Sequence, residues 1–66
     1  MFEVCANSVT CYFENKQDAI NGFVLAYGMA YPDFNIFKIN RDVAFDLEHR
    51  KDKMYEKGWL YIRDCN

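Results

Sequence analysis

The chain has 66 residues and a formal net charge of −2; 52% of its residues are hydrophobic and 18% aromatic. That length makes one domain, 1–66, whose core is so small that dense aromatic packing or oligomerisation has to reinforce it, and little volume remains for an enclosed pocket. A weakly negative chain exerts no long-range attraction on phosphate backbones or anionic membranes, which makes nucleic acid the minority reading among partners.

FEVCA and VTCYF flank Asn7 and Ser8, a two-residue turn, and read as a β-hairpin. Placing Ala6 opposite Val9 sets Val4 opposite Cys11 and Phe2 opposite Phe13. Opposed residues share a face, so one face is wholly apolar (Phe2, Val4, Ala6, Val9, Cys11, Phe13) and the other collects Glu3, Cys5, Thr10 and Tyr12. This register points Cys5 and Cys11 to opposite faces, where they cannot bridge, and Cys65 is a third, odd thiol, so a reduced protein is expected. With no CxxC or CxxH spacing and His49 as the sole histidine, no metal site is expected.

Asn15 is a good N-cap, and Asp18 three residues later suits the first turn of a helix. Ala19, Ile20, Phe23, Val24, Tyr27, Ala30 and Tyr31 recur at helical spacing, a stripe that should lie on the apolar face of the hairpin, and Pro32 ends the helix. Gly22 and Gly28 each cost about 1 kcal/mol relative to Ala inside a helix, so either close packing offsets them or the helix ends early near Gly28.

Residues 34–40, FNIFKIN, read as a strand with Phe34 and Ile36 on one face and Phe37 and Ile39 on the other. After a turn at Asn40, Arg41 and Asp42, VAFDLE alternates, with Val43, Phe45 and Leu47 inward, and a second hairpin is expected. The rival is one long helix over residues 42–57, disfavoured because Phe45 falls off its stripe. RKDKMYEK suits a short surface helix closed by Gly58, its alternative being a hairpin loop around Glu56, Lys57 and Gly58. WLYIR makes the last strand, with Leu60 and Ile62 on one face and Trp59, Tyr61 and Arg63 on the other. The expected fold is therefore α+β, a small antiparallel sheet packed against one main helix in the order β-β-α-β-β-(short α)-β.

Chemistry finds little support in these residues. No Ser or Cys has a histidine at a defensible spacing, and Asp46 and Glu48 read as solvating charges, so the chain is expected to be non-enzymatic with no cofactor. Arg50, Lys51, Lys53 and Lys57 cluster with Tyr55, but Glu48, Asp52 and Glu56 leave residues 48–57 at a net charge of +1, too little for backbone binding. A base-stacking platform is the runner-up, using Tyr12, Phe37, Lys38, Trp59, Tyr61 and Arg63 to hold single-stranded nucleic acid weakly.

GFVLAYGMAY, residues 22–31, carries no charge and is far too short to cross a membrane. Its Phe23, Val24, Tyr27 and Tyr31 side can face the core. Leu25 and Met29 then lie outside that stripe beside Gly22 and Ala26, small residues that let a neighbour approach closely and a Met that adapts to one. Gly22, Leu25, Ala26 and Met29 are thus the candidate partner-binding patch, unless the second helix or the C-terminal segment folds over them. With no basic leader before an apolar stretch, a cytoplasmic protein is expected, in the host cytoplasm if it is viral.

In size, odd thiols and strand-helix-strand layout, the chain resembles the small accessory proteins that bacteriophages encode to modulate host proteins. The resemblance implies a minimal α+β domain that plugs a host enzyme or regulator, and it carries over no functional residues. The expected function is a non-catalytic protein-binding module acting through the exposed helix face or an edge strand, with a homodimer or a structural homo-oligomer as further possibilities and no membrane partner.

Overall fold

The computed structural model describes residues 1–66 as six elements: β1 (Phe2–Ala6), β2 (Val9–Phe13), α1 (Lys16–Ala30), α2 (Ile36–His49), β3 (Met54–Lys57) and β4 (Leu60–Asp64). All strand pairs are antiparallel and the sheet order is β2-β1-β4-β3, so β2 and β3 are the two edges. The α+β class with a small antiparallel sheet is as expected from the sequence. Both helices pack on one face of that sheet, and the other face is bare.

The first hairpin takes the register its apolar pattern implies, with Phe2 opposite Phe13, Val4 opposite Cys11 and Ala6 opposite Val9. Asn7 and Ser8 both adopt positive φ, 51° and 66°, as a type I′ turn requires. Asn tolerates that region; Ser8 holds it at a steric cost. The second hairpin closes through Gly58, φ 60°, and Trp59, the pattern of a type II′ turn with glycine first.

Asn15 caps α1, its side chain accepting from the Asp18 N–H at 3.1 Å. Ala19, Ile20, Phe23, Val24 and Tyr27 are buried as the stripe implies, but Ala30 and Tyr31 are exposed because the helix ends there, the Tyr31 N–H donating to the Tyr27 carbonyl before Pro32. Close packing explains both glycines: a methyl group at Gly22 would sit 2.9 Å from Phe13 Cζ, and one at Gly28 would sit 2.8 Å from Phe34 Cε1. Two aromatic rings lie directly on the helix backbone.

Residues 36–49 form a helix, not the two strands expected from FNIFKIN and VAFDLE. Asn35 caps it as Asn15 caps α1, accepting from the Lys38 N–H at 3.1 Å. Ile39, Val43 and Leu47 recur one turn apart and are buried, while Phe37 and Phe45 point to solvent. Those two outward rings produce the apparent alternation. Phe45 does fall off the buried stripe, but it stacks on His49 with ring centroids 4.4 Å apart instead of breaking the helix. Ion pairs at helical spacing, Lys38–Asp42 and Asp46–Arg50, add a little on the exposed side.

Residues 50–57 contain no surface helix. Arg50 ends α2, Lys53 turns the chain at φ 52° and its ammonium donates to the Glu48 carbonyl at 2.9 Å, and 54–57 form β3. The hairpin around Gly58 is the alternative that the fold adopts. The core joins Phe2 and Val4 of β1, the α1 and α2 stripes, and Leu60 and Ile62 of β4, with Phe23, Val43 and Ile62 fully buried. Tyr55 closes it, its ring edge-on to Phe23 at 5.7 Å.

Candidate functional site

α1 lies over β1 and β4, and α2 lies over β3. On the inner face of β2 only Phe13 meets a helix, its ring lying against α1 at Gly22. Val9 is therefore 62% exposed and Cys11 exposed, although both belong to the apolar face of the hairpin. Between this overhanging strand and the helix runs an apolar groove of about 260 Å3, walled by Ala6, Val9, Cys11 and Phe13 of the hairpin and by Gly22 and Ala26 of α1.

Leu25 and Met29 continue that surface along α1, since residues 22, 25, 26 and 29 follow one another at helical spacing. They are 73% and 83% exposed; α2 packs against α1 on a different side, and the C-terminal residues continue β4 along β1. Leu25 and Met29 thus stand on an open flank of α1, while Gly22, under the Phe13 ring, and Ala26, packed against the core, are half-buried at its border. The sequence reading missed the other wall, Val9 and Cys11, because an apolar strand face was assigned to the core before the position of the helix was known.

The bare face of the sheet is built in rows. Tyr12, Glu3, Arg63 and Met54 are register neighbours across all four strands, and Thr10, Cys5, Tyr61 and Glu56 form the next row. Glu3 is only 8% exposed, although no helix covers it. The Tyr12 hydroxyl donates to Glu3 Oε2 at 3.2 Å, and the Arg63 guanidinium lies 2.7 Å from Oε1, a charge contact without the alignment of a directed hydrogen bond. That hydrogen bond, and then the carboxylate charge, raise the Tyr12 pKa, since a phenolate there would face Glu3. Burial first, and then the same carboxylate, raise that of Tyr61.

Of the residues proposed for base stacking, Tyr12, Tyr61 and Arg63 meet on this face, and Trp59 stands 92% exposed in the adjoining turn. Phe37 and Lys38 do not join them. Both lie in the first turn of α2, on the helix-covered side of the sheet, because residues 34–40 are not a strand. Arg63 is held by Glu3, and Glu56 adds a second negative charge, so the face offers no free cation for a phosphate.

All three cysteines are free. No three of the His, Cys, Asp and Glu side chains could share one metal ion, and no helix is long and apolar enough to cross a membrane.

Fold and surface together define a minimal α+β domain with helices on one sheet face and an uncharged, largely exposed edge strand. The chain matches no family model, no curated protein and no solved structure.

Proposed function

We propose that this chain is a non-catalytic protein-binding module that acts by occupying a surface of another protein, as an inhibitor or modulator of the kind small bacteriophage accessory proteins exemplify. The observation that carries this reading is the β2 edge. It holds five residues without a charge, four of them, Val9 to Tyr12, exposed, and it adjoins the uncovered Leu25 and Met29 flank of α1. Edge strands present unpaired N–H and C=O groups, and natural proteins blunt them with charges, proline, bulges or a covering helix. β2 carries none of these. Strand addition along such an edge supplies main-chain hydrogen bonds, and an apolar groove beside it supplies selectivity for side chains.

The nucleic-acid alternative draws less support, because half of its aromatic and basic set lies off the bare face or is neutralised there. Comparative capture tests the proposal: the tagged chain and its Leu25→Asp, Met29→Asp variant are exposed to extract of the source cells. A partner retained by the parent chain and lost by the variant is expected. Equal capture by both, or none by either, overturns the reading.

A further inference from the structure

We infer that the occupant of the β2 edge is a second copy of this chain, paired antiparallel through β2 about a two-fold axis at Cys11; this rests on the reading of β2 and α1 as a binding surface. The backbone supplies the first argument. Ala6 and Val9 close a two-residue turn and so exchange both of their hydrogen bonds, and alternation makes Val9, Cys11 and Phe13 the residues bonded to β1. Thr10 and Tyr12 then direct their N–H and C=O groups outward. In a two-fold pairing centred on Cys11, Thr10 of each copy meets Tyr12 of the other, and the two pairs exchange four N–H···O bonds.

Register and charge point to the same partner. Centring on Cys11 pairs every residue of β2 with a strand residue, Val9 with Phe13 and Thr10 with Tyr12. Moving the axis to Thr10 puts Phe13 opposite Asn7, and moving it to Tyr12 puts Val9 opposite Asn15, both outside the strand. β2 holds no charge, so a charged peptide finds nothing on the strand to pair with, whereas a second β2 leaves no charge unpaired. Glu14 falls opposite Ser8, not opposite another acid.

The same geometry limits the strength of the contact. A five-residue edge is about 17 Å long, and with one sheet layer and one helix layer, each about 10 Å deep, the footprint is of order 400 Å2 per copy. A standard interface buries about 800 Å2 per partner. The two-fold copies of α1 stand roughly 14–19 Å apart, beyond the 8–10 Å of direct helix packing. Leu25 and Met29 are the long exposed side chains on the flank of α1 that borders the groove of Val9, Cys11 and Phe13. The dimer is therefore weak and depends on concentration.

The test uses the full chain with Cys5→Ser and Cys65→Ser, leaving Cys11 as the sole thiol. Its control carries Cys5→Ser and Cys11→Ser, leaving Cys65, which is also exposed. Diamide accepts the two electrons and two protons that two thiols release as the S–S bond forms. A non-hydrogen-bonded antiparallel pair holds its Cα atoms about 4.5 Å apart, within disulfide range. The Cys11 chain is expected to form covalent dimer at least about tenfold faster than the Cys65 chain, since pairing raises the effective thiol concentration.

Thr10→Pro deletes one outward N–H without removing a bond to β1, and it is expected to bring that rate down to the Cys65 level with an unchanged circular dichroism spectrum. Val9→Lys, at a residue the fold already exposes, reads the same loss should the proline variant unfold. Light scattering at 7.9 kDa at every concentration from about 1 µM to about 1 mM, with Cys11 no faster than Cys65, overturns the second copy as occupant. Scored only on captured proteins other than this chain, the capture comparison with Leu25→Asp, Met29→Asp does not depend on self-pairing, and so decides the binding-module reading separately.

Discussion

The two edges of one four-stranded sheet are built differently. β3 is four residues long, carries Glu56 and Lys57, follows a left-handed residue at Lys53, and has α2 packed over its inner face, with Tyr55 driven against Phe23. β2 is five residues long and uncharged, and is exposed from Val9 to Tyr12, with only Phe13 half-buried against α1. One edge is protected against other chains and anchored to the core; the other is open and hangs beyond it. The two helices are placed mainly on β1, β4 and β3, and α1 reaches β2 only at Phe13. The contrast separates stability from recognition: substitutions at β3 should be felt in folding, and those at β2 mainly in association.

The sharpest test of that division is Tyr55→Ala set against Tyr12→Ala. Removing Tyr55 opens a cavity beside the fully buried Phe23 and is expected to cost about 2–4 kcal/mol, whereas Tyr12→Ala on the bare face should cost within about 1 kcal/mol. Urea denaturation of the two variants measures both, and equal losses would break the comparison.

The Tyr55 anchor also sets a pH dependence. Burial pushes its pKa up from 10.0 to about 12, so the folded chain favours the neutral phenol. This contribution to stability is fully present below pH 10 and is lost as pH rises towards 12, because the unfolded chain ionises first and binds fewer protons. Chemical denaturation repeated across that range should show the decline, and Tyr55→Phe should flatten it.

The two turns offer opposite signs at closely related positions. Gly58→Ala forces a side chain into φ 60° with a methyl group 3.1 Å from the Tyr31 hydroxyl, and should destabilise the protected β3 hairpin by about 1–2 kcal/mol. Ser8→Gly relieves a strained residue in the open hairpin and should stabilise by about 1 kcal/mol. Thermal melts of both variants check the signs.

The smallest expected effect is on the open side. Leu25→Asp with Met29→Asp should leave the unfolding free energy within about 1 kcal/mol, since neither side chain contributes to the core. A larger loss, read from the urea midpoint, would mean that this flank stabilises the fold.

Much of this molecule follows from relations within a few residues. The register of the first hairpin, the Asn15 cap, the α1 stripe from Ala19 to Tyr27 and the inward Leu60 and Ile62 are all legible, because turn length, capping and side-chain period are local properties. The α2 signal was local too: Asn35 stands three residues before Lys38, and Ile36, Ile39, Val43 and Leu47 keep helical spacing. It was masked by Phe37 and Phe45, whose hydrophobicity imitates alternation while their rings face solvent. No local pattern reveals strand order, or which apolar strand face a helix will cover. The hairpin sequence makes Val4 and Cys11 equivalent members of one apolar face; only the docking of α1 over β1 and β4 buries the first and leaves the second at an open edge. The residues of the Leu25 and Met29 flank were readable from helical period alone, but its extension onto β2 exists only because α1 and α2 dock over β1, β4 and β3 and reach β2 at its Phe13 end.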